Sequence, residues 1–155
     1  MSRLASLVLA LVFSAQLMVG QAQTSKAADD ATTAIQAVLR AQVDAWNRGD
    51  LKGFMDGYWK SPDLIFATGK EETRGWDLVM ERYHARYQSG DNAEMGKLTF
   101  AWVDGVHMLS QELAYIDGEY RLTMSTGKEL HGVFTLILRK FPEGWRIVHD
   151  RTCSE

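Results

Sequence analysis

Proton chemistry near neutral pH needs a side chain that titrates there, and His149 is the foremost candidate in this chain. Read as part of a strand from Trp145 to Thr152, His149 shares a face with Trp145, Ile147 and Arg151, the side expected to meet the core. An imidazole in that position would serve as an acid or base, or would simply fill the wall of a pocket. Gln42, Trp46, Tyr58, Phe66, Tyr83, Tyr87 and Phe134 supply the rest of that wall. Many aromatics with few polar groups describe a site for a small organic ligand, and equally an ordinary core. Arg74, just ahead of a helix, would receive an anionic group or bond the carbonyls of its own turn.

Other chemistries lack their residues. Four scattered histidines without a short-spaced pair, and a single cysteine, give no metal site. A glycine-rich phosphate loop, a Gly-x-Ser-x-Gly elbow and a Cys/His dyad are missing as well, so no cofactor is expected. His149 and Asp150 cannot pair with each other, since successive strand residues face opposite ways; Asp150 is assigned with His131 to the outer face. Cys153 is read as a surface or edge residue, with an intermolecular disulfide as the alternative.

The elements that must position these residues follow from periodicity. Ile35, Leu39, Gln42 and Trp46 recur at helical spacing, with Val38 and Val43 widening the stripe, and Asn47-Arg48-Gly49 ends it. Asp50 caps a short second helix carrying Leu51, Phe54, Met55 and Tyr58. Leu64 to Thr68 reads as a strand, closed by Gly69 and a charged turn at Lys70-Glu71-Glu72. A third helix from about Gly75 carries Trp76, Val79, Met80, Tyr83 and Tyr87 on one face. Everything after Met95 alternates with the period of strands and folds into an antiparallel meander of four. In its last hairpin a four-residue turn at 141–144 pairs Lys140 with Trp145, which fixes the face assigned to His149. The class is α+β, three N-terminal helices grouped on one face of a sheet.

Composition sets the outer limits. The chain has 155 residues, 46% hydrophobic and 24% charged, enough for one domain with a real core and too short for two. A net charge of −3 argues against a general nucleic-acid binder. Met1 to Ala22 reads as a cleaved secretory signal: Arg3 starts it, Leu4 to Val19 is mainly apolar, and Gly20-Gln21-Ala22 offers small residues for cleavage. A second possible cut follows Ala27. The apolar run is about 16 residues, short of the roughly 20 that a spanning helix needs, so no membrane association is expected after cleavage. Removing the segment takes away one basic residue and no acidic one, moving the charge from −3 to −4. Residues 23–30 are a polar leader, and the expected location is the periplasm or the exterior.

Ala45-Trp46-Asn47-Arg48-Gly49-Asp50-Leu51, Tyr58-Trp59, Asp63-Leu64 and Thr73-Arg74-Gly75-Trp76 occur in that order, followed by Gly132-Val133-Phe134-Thr135-Leu136 and Gly144-Trp145-Arg146-Ile147-Val148-His149-Asp150. This set, spread over residues 31–152, resembles the SnoaL-like, ketosteroid-isomerase-like branch of the nuclear transport factor 2-like superfamily, and is most similar to exported proteins carrying a domain of unknown function. The resemblance implies a conical α+β fold in which a strongly bent antiparallel sheet wraps helices around a deep pocket, and a homodimer through the outer sheet face. It does not decide function, because relatives include isomerases, dehydratases, cyclases and association domains. The ketosteroid isomerase pattern of a base, a tyrosine and a protonated aspartate falls here on positions near Thr68, on Gln42 and near Gly132, so none of the three is retained. Three readings follow: a binding domain for a small, partly apolar molecule, a lyase or isomerase using His149, and a non-catalytic homodimeric association module.

Overall fold

The computed structural model describes residues 26–89 and 94–154, with the backbone alone at 102–104. The expected signal segment and the start of the leader lie outside the described residues. A helix, α1, covers residues 26–47. The chain divides into two compact units at Thr33, and the second, from Ala34 onward, holds every element described below.

In this unit the α1 stripe is buried as its spacing requires: Ile35 and Leu39 are 0% exposed and Gln42 2%. The helix stops where Gly49, at φ 80°, lets its N–H reach back to the Trp46 carbonyl while Asp50 N–H bonds the Ala45 carbonyl. Asp50 then caps α2 (Leu51–Met55) by accepting from Gly53 N–H at 2.8 Å, and that bond, followed by the one from Arg48, lowers its pKa. Tyr58, expected on this helix, lies past its end. There the backbone joins the sheet: Trp59 N–H donates to the Ile147 carbonyl and Ile147 N–H to that of Gly57.

β1 (Ile65–Thr68) turns at Gly69 into β2 (Glu71–Arg74). The charged segment expected as a turn is therefore an edge strand, its acidic side chains turned to solvent. α3 (Trp76–Tyr87) follows, then β3 (Lys97–Met108), β4 (Leu113–Thr123), β5 (Glu129–Phe141) and β6 (Gly144–Ser154). The last four form the antiparallel meander that their alternation predicts. The sheet order is β2-β1-β6-β5-β4-β3, antiparallel except where β1 runs parallel to β6. Helices pack on one face of this curved, unclosed sheet, the α+β architecture expected.

One irregularity in β6 governs the site. Lys140 pairs with Trp145 and Leu138 with Ile147, as the hairpin arithmetic requires, but Ile137 then pairs with His149 and Leu136 with Asp150. Val148 is an extra residue on the β6 side, a β-bulge, and beyond it the faces exchange. The bulge sits where β6 changes neighbour: up to Ile147 it is bonded to the segment 57–59, and from His149 it pairs with β1. His149 and Arg151 thus turn outward, correcting the expected orientation, and Asp150 and Thr152 turn inward.

Candidate functional site

Asp150 ends up beside two interior neighbours, Leu136 on β5 and Phe66 on β1. It is 3% exposed, one of two buried polar side chains among the described residues, with Gln42 the other. Its carboxylate accepts from the Tyr58 hydroxyl at 2.7 Å and from Thr152 Oγ1 at 2.6 Å. The tether of residues 57–59 to Ile147 brings Tyr58 to this strand and aims its hydroxyl at Oδ2. Burial pushes the Asp150 carboxyl up to about 6, against the Thr152 and Tyr58 hydrogen bonds, which lower it. Burial, then the Asp150 charge, raises the Tyr58 and Tyr83 hydroxyls well above the usual tyrosine range, so both stay protonated donors at neutral pH.

This group opens into a cavity of about 350 Å³, at the lower end of the roughly 300–1,000 Å³ typical of small-molecule sites. Seven of the eight expected wall residues line it, Gln42, Trp46, Tyr58, Phe66, Tyr83, Tyr87 and Phe134, six of them aromatic. Trp46 meets Phe54 edge-on at 4.9 Å and Tyr87 at 4.8 Å, and Tyr83 lies 5.5 Å from Phe66. Such edge-to-face pairs are favourable ring contacts that fix the orientation of the wall. Tyr83 and Tyr87 remain half-buried because one side of each is open to the cavity. Trp46 Nε1 donates to the Met95 carbonyl at 2.7 Å, and Asn47 holds both backbone groups of Leu98, which together fix α1 against the start of β3.

Two expected site residues do not line the cavity. His149 lies half-buried on the outer face across from Ile137, because of the bulge at Val148. Arg74 is exposed at the end of β2 and pairs with Glu72 at 3.0 Å. Gln42 does line it, and its Nε2 donates to the Phe54 carbonyl at 3.0 Å while its amide packs against Gly57, where a Cβ would collide with it. Lining residues not anticipated include Asp150, Thr152 and, on α3, Arg82 and Arg86. The sequence carries one hint of the exchange: Ile147 and Val148 are successive apolar residues in an otherwise alternating strand.

The positions matched to a ketosteroid isomerase can now be read in place. Thr68 lines the cavity beside Thr152. Gly132 carries no side chain for a reason: a Cβ there would overlap the Cys153 carbonyl across the β5–β6 pair. An acid at that position is excluded by backbone contact, and the one buried carboxyl among the described residues comes from β6 instead. No cluster of histidine, cysteine or acidic residues able to hold a metal occurs among the described residues.

Comparison with known proteins identifies the family and agrees with the fold. The SnoaL-like domain family matches residues 35–152. The chain belongs to this family. A similar solved structure is a nuclear transport factor 2-like protein of unknown function from Shewanella oneidensis, 32% identical, with TM-score 0.72, covering 79% of this chain and 98% of its own. A ketosteroid isomerase-like protein from Erwinia carotovora is 21% identical over 79% of this chain and 94% of its own, TM-score 0.62. A nuclear transport factor 2-like superfamily protein from Salmonella enterica is 18% identical over 81% and 91%, TM-score 0.60. These two share the fold. No curated protein matches the chain. Among the described residues of this SnoaL-like chain, no helix is long and apolar enough to cross a membrane.

Proposed function

We propose that this SnoaL-like domain binds a small, partly apolar organic molecule, with Asp150 and Tyr58 as the polar anchor at the floor of the cavity. The observation that carries this reading is a buried carboxyl, held by two hydroxyls, opening into an aromatic cavity of about 350 Å³. Apolar walls supply most of the affinity, and the few polar groups set orientation. The acid–base role expected of His149 passes to Asp150, since a proton-transfer group must reach the bound molecule.

A carboxyl that titrates near 6 also supports a second reading, an isomerase. Asp150 would take a proton from a carbon next to a carbonyl, the C–H electron pair moving onto the carbonyl oxygen. The enolate would then be reprotonated at another carbon by the same carboxyl. Such a shift is balanced without a cofactor, and the protonated Tyr83 hydroxyl would steady the enolate oxygen. Asp150 keeps acceptor capacity for this, because a carboxylate offers about four lone-pair sites and two are taken.

The test is a thermal-shift screen of small aromatic and alicyclic ketones and phenols, followed by titration of each hit against variants. The reading expects a hit whose affinity falls at least about tenfold in Asp150→Asn and stays unchanged in His149→Ala. If no compound shifts the melting temperature, or both variants bind like the parent, the reading fails. Export to the periplasm or beyond is part of the proposal and rests on Arg3 and the apolar run from Leu4 to Val19. So is a homodimer through the outer sheet face, where Val133 is 47% exposed. Sedimentation of the mature protein at micromolar concentration checks it, and a dimer that binds nothing would favour the association module.

A further inference from the structure

α3 brings two guanidinium groups to the cavity that the reading above does not use. Arg82 and Arg86 both line it, one turn apart on the face that also presents Tyr83 and Tyr87. Four residues of helix put their Cα atoms about 6 Å apart along the axis, close enough for both long side chains to reach one carboxylate or phosphate. Arg82 lies over the Phe66 ring at 5.8 Å and holds Glu71 at 3.1 Å. Arg86 sits over the Tyr87 ring at 5.5 Å and has no ion pair among the described residues. Among the described lining residues Asp150 is the one carboxylate, and it is buried where the arginines are half-buried or exposed. The cavity is therefore polarised, cationic toward solvent and anionic or proton-sharing at its floor.

We infer that the natural ligand is an amphiphilic organic anion, its carboxylate or phosphate held by Arg86 and Arg82 and a hydroxyl or carbonyl at its far end meeting Asp150 and Tyr58. This rests on the binding reading above and adds the ligand class and orientation. The reverse orientation sets an anion against the buried Asp150 carboxylate in apolar surroundings, which is strongly unfavourable. A neutral ligand leaves Arg86 with its contact to the Tyr87 ring but no ion pair among the described residues. The aromatic walls between the two ends call for a flat, ring-containing body no larger than two fused rings in a cavity of this volume.

Three probes separate these elements: 6-hydroxy-2-naphthoate has both ends, 2-naphthoate only the anion, and 2-naphthol only the hydroxyl. Titrations by tryptophan fluorescence or calorimetry should rank 6-hydroxy-2-naphthoate tightest, with an affinity that falls as salt is raised. Arg86→Gln should weaken both naphthoates roughly fivefold, and R82Q/R86Q roughly tenfold or more, leaving 2-naphthol within about twofold. Asp150→Asn should weaken 6-hydroxy-2-naphthoate and 2-naphthol while sparing 2-naphthoate. Equal binding of all three probes that the double arginine variant does not change overturns the anion class and leaves the binding reading standing. Binding of none of them overturns both. An unchanged melting temperature of R82Q/R86Q without probe shows that the loss is one of contact and not of fold.

Discussion

α1 and α3 carry similar stripes of aliphatic and aromatic residues at helical spacing, yet they bury them differently. In α1, Ile35, Leu39 and Trp46 are all buried. In α3 only Val79 is, and the stripe opens at Tyr83 and Tyr87, which stay half-buried. The α1 face packs as core at Ile35 and Leu39 and reaches the cavity only at its C-terminal end, through Gln42 and Trp46. A helix whose face stays open over its second half is roofing a space, and the arginines beside those tyrosines line the same space. The difference places the C-terminal half of α3 over the cavity, whose other walls include α1 at Gln42 and Trp46 and the inner faces of β1, β3, β4, β5 and β6.

The comparison breaks most easily by truncation. Leu39→Ala leaves a void in closed packing and should cost about 2–5 kcal/mol in urea unfolding, whereas Tyr87→Ala enlarges an existing space and should cost less than half of that. Equal costs would mean that α3 covers a core. Next comes pH. The folded-state pKa of Asp150 is raised to about 6 from 3.8, so the native protein holds a proton that the unfolded chain gives up. Its contribution is fully present below about pH 4 and is lost as pH rises to about 6, a loss of about 3 kcal/mol in total. The stability difference between the parent and Asp150→Asn should show that slope between pH 4 and 6 and be flat above 7. Smaller still, Tyr58→Phe removes one hydrogen bond to Asp150 and should cost about 1 kcal/mol. Because that bond lowers the Asp150 pKa, its loss should move the carboxyl above 6 in a carbon-13 titration. Smallest of all, Arg74→Ala disturbs only an exposed ion pair and should change stability by less than about 0.5 kcal/mol and ligand affinity not at all.

Much of this was legible in the chain. The α1 stripe, the Asp50 cap, the third helix and the four-strand meander are local patterns, and the aromatic wall follows from which faces they bury. The exchange of His149 for Asp150 was not, because register past Ile147 depends on a neighbour 80 to 90 residues away in sequence. β6 leaves the segment 57–59 and takes up β1 at that point, and Val148 absorbs the mismatch. A one-residue slip reverses every side chain beyond it. β2 escaped for a related reason: Glu71-Glu72 on an edge strand needs only one partner and has no buried face to betray it. The arginines of α3 carry no local signal of their role, since nothing in the sequence around them says that the helix roofs a cavity.

The most direct test of the account is the titration of the Asp150 carboxyl carbon by NMR in the unliganded protein, assigned by its absence in Asp150→Asn. A midpoint near 6 would show a carboxyl buried at the cavity floor, held by Tyr58 and Thr152. A midpoint near 3.8 would put Asp150 in water and contradict its place at the cavity floor.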